Sequence, residues 1–264
     1  MQYALSFVSW LSHTHIGLVH RWLYVHAGIL HRDLSLNNIM YRIIKEINEA
    51  GVTEERVCGV LTDFDLASWT NTLTRDYTKT SQQRTGTPPY MAHRLLDGTD
   101  ALHLYRHEVE SLFYIMLILA AHYEFKTPEE GKKGGLRTRD GELPYQRWFN
   151  QPLYNDLSSF KQTFLSDLEH LDLSPAFEDF RGWLEDLHLA FRRGIRSKQI
   201  HKENLMSLQR RRQGGRSKNE VTPTFDDETL GGYIHYSALI DPVRHLELEG
   251  KLKGLIIRYD PADD

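Results

Sequence analysis

Apolar positions recur three and four residues apart near the start of the chain. Ile16, Val19 and Leu23, with Trp22 adjoining, predict a helix over 15–27. Gly28 reads as its stop, because glycine tolerates the left-handed conformation found just past a helix C-terminus. Ile29 and Leu30 follow as a short apolar link, and the period then changes to two. Ile39, Tyr41 and Ile43 predict one strand and Val57 to Leu61 a second, with the polar stretch KEINEAGVTEER between them as an elongated hairpin tip. Residues 66–90 are polar and rich in Thr, Ser and Gln, with Pro88–Pro89 near the end, and predict a loop. The stretch HEVESLFYIMLILAA (107–121) is apolar all round after its first turn, the pattern of a helix buried inside a lobe. Residues 124–145, charged and glycine-rich, predict an exposed insertion. Helical spacing returns over 155–171 and 176–193, with Leu157, Phe160, Phe164, Leu168 and Leu171 as a core face. Residues 1–14 are apolar and aromatic, and no internal repeat is present.

A chain of 264 residues with 40% apolar and 26% charged residues belongs to the ordinary globular class and is long enough for a sizeable core. A net charge of −4 gives no general case for nucleic acid or an anionic membrane as partner. The longest apolar run, Leu112 to Ala121, is ten residues, short of a bilayer span. The N-terminus lacks the basic and apolar regions of a signal peptide. The single cysteine, Cys58, cannot close an internal disulfide, which fits a reducing compartment. These features predict an intracellular protein, cytoplasmic or nuclear. Charge is nevertheless uneven: residues 192–218 hold ten Lys or Arg against one acidic residue, Glu203. This stretch reads first as a solvated linker or exposed helix, and second as a patch for nuclear import or an acidic partner around Arg210–Arg212.

The candidate chemistry lies at residues 31–40, HRDLSLNNIM. The pattern H-R-D-x-x-x-x-N is there, with Asp33 as its Asp and Asn38 as its Asn. Asp63–Phe64–Asp65 follows where D-F-G would be expected, and then RTGTPPYMAHRLL (84–96). Three motifs in this order resemble the protein kinases, and their details resemble the fungal-type protein kinases. The resemblance implies a catalytic loop at 31–40 and an activation segment at 63–94. It also implies ATP and Mg²⁺ as cofactors and a protein as the substrate partner. In this reading Asp33 accepts the proton of the acceptor hydroxyl, Asn38 and Asp63 are the metal and nucleotide positions, and Arg32 ties the loop to the activation segment. Thr80, Ser81 and Thr85 are candidate phosphorylation sites near Arg32. Ser35 stands where most protein kinases carry a phosphate-contacting Lys, a change that fits the fungal-type family. The stretch FDDETLGGYIHY (225–236) also resembles that family's C-terminal segments.

Four positions depart from the wider kinase pattern. Asp65 replaces the motif glycine and is read as a backbone substitute able to visit positive φ. Glu108 takes the place of an Asp that holds the catalytic-loop backbone. His93 and Arg94 replace the Pro and Glu of an A-P-E sequence, so the segment is braced differently or compromised. Only two glycines and no lysine precede His31, so this sequence supplies neither a glycine-rich phosphate loop nor the nucleotide-binding Lys. The expected architecture is therefore mainly α with a small β element: a kinase C-lobe without an N-terminal lobe. The expected divisions are a lobe at 1–196, a basic linker at 197–222 and a C-terminal extension at 223–264. Apolar residues such as Phe7 and Trp10 are expected to be poorly covered. The expected activity is ATP-dependent phosphorylation of Ser or Thr in proteins, weak or absent for the chain alone. The rival readings are a non-catalytic docking module and a small-molecule phosphotransferase. RTGTPPYMAHRLL speaks against the latter.

Overall fold

A computed structural model describes residues 16–17, 19–47, 51, 53–71, 76–77, 85–126, 135–151, 153–167, 170–213, 221–237 and 239. Helices dominate and three small antiparallel sheets accompany them. The first helix, α1 (residues 16–27, residue 18 aside), ends in a wide π-type turn, Leu23–Ala27, and Gly28 closes it with φ 63°. Strand β1 (Ile29–Leu30) then leads into the 31–38 loop.

Strands β2 (Ile39–Ile47) and β3 (Thr53–Leu61) form the expected hairpin, in register from Ile39↔Leu61 to Ile47↔Thr53. The polar stretch between the two apolar cores thus lies mostly within the ladder. The reason is that Met40, Tyr41, Ile43 and Ile47 are solvent-exposed, so this ribbon does not depend on a buried apolar face to set its length. Two other segments expected to be irregular also pair. β4 (Ser68–Asn71) runs antiparallel to β1 and to β5 (Asp76–Tyr77), and β6 (Tyr123–Lys126) pairs with β7 (Gly135–Thr138) inside the expected insertion. Four-residue strands carry too few alternating positions for the period to stand out in sequence.

After the short helix α2 (His93–Leu96), helix α3 (Tyr105–His122) is the centre of the molecule, and all eighteen of its residues are buried. Its Phe113 stacks against Phe164 of α4 (Tyr154–Ser166) and Phe191 of α5 (Arg181–Gln213). Trp148 meets Tyr114 and Phe164 edge-on. The core stripe of α4 is Leu157, Lys161 and Leu165, with Phe160 and Phe164 half-buried beside it; Leu168 lies outside the described residues. Among the described residues no helix is long and apolar enough to cross a membrane.

Two of the expected divisions change. Residues 197–213 are the second half of the 33-residue α5 and not a separate linker. The extension is also part of the core: Leu230, Ile234, Tyr236 and Leu239 are buried in it, and Trp183 Nε1 donates to the Leu239 carbonyl at 3.2 Å. The apolar spacing of the tail is too irregular for a sequence pattern, but its side chains close the face that α5 leaves open. Phe7 and Trp10 lie outside the described residues.

Candidate active site

The 31–38 loop is anchored from below by the first turn of α3. Glu108, wholly buried, receives the His31 amide at 3.1 Å and the Arg32 amide at 2.5 Å. His20 Nε2 donates to the same carboxylate, and His103 Nε2 lies 3.3 Å from it. Burial alone would raise the pKa of Glu108. The neighbouring His20, with its hydrogen bond, and the nearby His103 outweigh it and hold the group well below the usual range. The longer carboxylate thus reaches the loop backbone despite replacing Asp. It draws two successive N–H groups toward one acceptor, and Arg32 adopts a left-handed φ of 69°. The Arg32 side chain is buried, while Thr80 and Ser81 lie outside the described residues.

Asp33 is held at both oxygens. Thr87 Oγ1 donates to Oδ1 at 2.7 Å, and Asn38 Nδ2 donates to Oδ2 at 3.3 Å and to the Asp33 carbonyl at 2.8 Å. With its amide committed to Asp33, Asn38 keeps Oδ1 free of partners among the described residues. The Asn38 carbonyl accepts the Thr62 amide at 2.9 Å and the Thr62 hydroxyl at 3.1 Å, which ties Asn38 to the residue preceding Asp63. Asp63 is exposed and left-handed, with φ 63°. The positive φ expected at Asp65 is therefore found at Asp63. His31 completes the link: its Nε2 donates to the Thr62 carbonyl at 2.9 Å, and its ring meets Phe64 edge-on at 4.8 Å.

Ser35 is 1% exposed, and its hydroxyl has no hydrogen-bond partner among the described residues. It faces inward, so it does not occupy the open position that a phosphate-contacting Lys would require.

The residues after Arg84 pack directly on this loop. Gly86 has φ 127°, and a Cβ there would stand 3.2 Å from the Arg32 carbonyl and 2.8 Å from Met91 Cγ, so the close approach that delivers Thr87 requires glycine. Lys161, from α4, reaches the Met91 carbonyl at 2.5 Å and the Pro88 carbonyl at 3.2 Å, and its ammonium lies 4.2 Å from the Tyr114 ring centroid. The A-P-E departures are compensated. Glu110 accepts the His93 amide at 2.8 Å, His93 Nδ1 at 3.0 Å and the Tyr114 hydroxyl at 2.7 Å. Burial opposes its ionisation, yet His93 and these bonds bring its pKa down to about 2. Arg94 instead pairs with Asp100 at 2.9 Å, and Asp100 also receives Arg106, His107 and Lys198. His107 accepts the Leu104 amide at Nδ1, and burial together with Arg106 lowers its pKa to about 3. The segment is braced differently, and the brace is complete.

The sequence reading missed Thr87, Gly86, Glu110 and Lys161. Two signals were present: a lysine within the apolar stripe Leu157–Leu165, and a Gly-Thr immediately ahead of the paired prolines.

The donor set suits a hard cation bound with phosphate. Asn38 offers a neutral oxygen and Asp63 an anionic one, as Mg²⁺ favours. Among the described residues no group of three or more His, Cys, Asp or Glu side chains could hold a metal ion, so phosphate oxygens and water would complete the shell.

No curated protein gives a match to this chain. Residues 17–120 match the family model described as fungal protein kinase, a span that takes in the Asp33 loop, Asp63, the 84–96 segment and α3. Over these residues, about two fifths of the chain, the protein is similar to the fungal protein kinases.

Proposed function

We propose that the chain is the C-lobe of a protein kinase and that it supports transfer of the ATP γ-phosphate to a Ser or Thr hydroxyl of a protein. The observation that carries this is the double support of Asp33. A carboxylate fixed by Thr87 on one oxygen and by Asn38 on the other is oriented to receive the proton of an acceptor hydroxyl. Asn38 and Asp63 would hold Mg²⁺, which neutralises phosphate charge when bound. Thr87 belongs to the segment that Lys161 holds, so that segment and Asp33 are joined by one connected set of bonds. That coupling favours a polypeptide acceptor over a small molecule. This sequence brings no glycine-rich loop and no nucleotide-binding Lys ahead of His31, so transfer by these residues alone is slow.

A non-catalytic docking module is the second reading, and the inward-facing Ser35 favours it. Radiolabelled ATP with a mixture of Ser- and Thr-containing peptides separates the readings. Slow labelling of peptide that disappears in Asp33→Asn is expected. Labelling of small alcohols in preference to peptides contradicts a protein acceptor, and incorporation unchanged by Asp33→Asn contradicts a catalytic role for this loop.

A further inference from the structure

The basic stretch is not spread evenly around its helix. Leu189, Arg192, Arg193, Arg196 and Ile200 follow one stripe of α5 at helical spacing. With Tyr233 of the C-terminal segment they line a groove of about 310 Å³. Ile200 is 44% and Tyr233 41% exposed, so the groove has an apolar floor open to solvent and an arginine rim. Other cations of the same helix are already satisfied: Arg181 pairs with Glu178 and Glu185, and Lys198 with Asp100 and Asp227. Arg192, Arg193 and Arg196 form no ion pair among the described residues. A chain of net charge −4 that gathers three unpaired arginines around exposed aliphatic and aromatic carbon has a surface matched to an opposite charge carrying its own apolar side chains.

We propose that this groove docks an acidic, amphipathic peptide segment of a partner protein. Acidic side chains would meet the arginine rim, and their apolar neighbours would cover Leu189, Ile200 and Tyr233. A polynucleotide fits less well, because the aliphatic floor offers nothing to phosphate and the chain as a whole repels a polyanion. None of the lining residues belongs to the Asp33 loop, so the proposal stands apart from phosphoryl transfer.

The test is fluorescence anisotropy on the full chain with a labelled synthetic peptide alternating Glu and Leu. An otherwise identical peptide with Gln for Glu and an oligouridylate of the same length serve as comparisons. The acidic peptide is expected to bind saturably and better than either. Arg192→Glu combined with Arg196→Glu, and separately Tyr233→Ser, are each expected to weaken it about tenfold. The substituted side chains are exposed, and unchanged circular dichroism verifies the fold; Arg193→Gln alone is a milder variant that is expected to weaken binding in the same direction. Absence of binding, or binding indifferent to these substitutions, overturns the proposal. Oligouridylate binding as tightly, with Tyr233→Ser silent, replaces it with a nucleic-acid surface.

Discussion

Glu108→Ala is expected to destabilise the protein by about 3–5 kcal/mol, the usual loss when one partner of a buried ionic cluster is removed. The substitution leaves the His31 and Arg32 amides without their acceptor and His20 without its carboxylate. No water-accessible surface is nearby to replace them, since Glu108 and both loop residues are buried. For a domain whose whole stability is about 5–15 kcal/mol the alanine variant stands near the edge of folding. Glu108→Asp therefore carries the finer test. A carboxylate one methylene shorter keeps the charge but loses reach, so amide exchange should accelerate selectively at His31 and Arg32 while the remaining helices stay protected. Urea unfolding of the alanine variant at the wild-type midpoint would contradict the anchoring described here.

Lys161→Met is expected to loosen the segment that carries Thr87. Methionine keeps the apolar stem within the Leu157–Leu165 stripe and removes only the ammonium, so packing is largely retained. The Pro88 and Met91 carbonyls then lose a shared buried donor, at about 1–3 kcal/mol for the unsatisfied groups. Burial lowers the Lys161 pKa well below its ordinary value, and Glu110 only partly opposes this. The position tolerates an amine because two carbonyls and two aromatic rings surround it. Hydrogen exchange should rise over 86–92 before any global change is seen. Protection of these amides equal to the wild type would show that the lysine is a passive buried residue.

Much of the fold was legible because its main signals are long. Helix α3 carries the ten-residue apolar run Leu112–Ala121, Ile39, Tyr41 and Ile43 recur at a period of two, and Val57 to Leu61 form a short apolar run. The short pairings of β4 and β6 are not legible in the sequence, since strands of four residues hold too few alternating positions. The ends of α5 show the same limit. Its last turns, Arg210–Arg212 included, are polar and read equally as linker. Within the candidate site, the sequence names Asp33, Asn38 and Asp63 as expected positions, and the structure adds the neighbours of two of them: Thr87 on Asp33 and Thr62 on Asn38. Threonines serving as donors across loops leave no spacing signature. The left-handed conformation expected at Asp65 from its motif position is found at Asp63, two residues earlier. Of the two readings of His93 and Arg94, a segment braced differently or a compromised one, the His93–Glu110 and Arg94–Asp100 pairs favour the first.

Asn38 and Asp63 are proposed to form the metal and nucleotide position of this chain. Titration calorimetry of the purified chain with Mg·ATP, alongside Asp63→Asn, tests it most directly. Saturable binding that requires magnesium and disappears in Asp63→Asn is the predicted result. Wild-type binding that is absent, or that persists unchanged in Asp63→Asn, would contradict it.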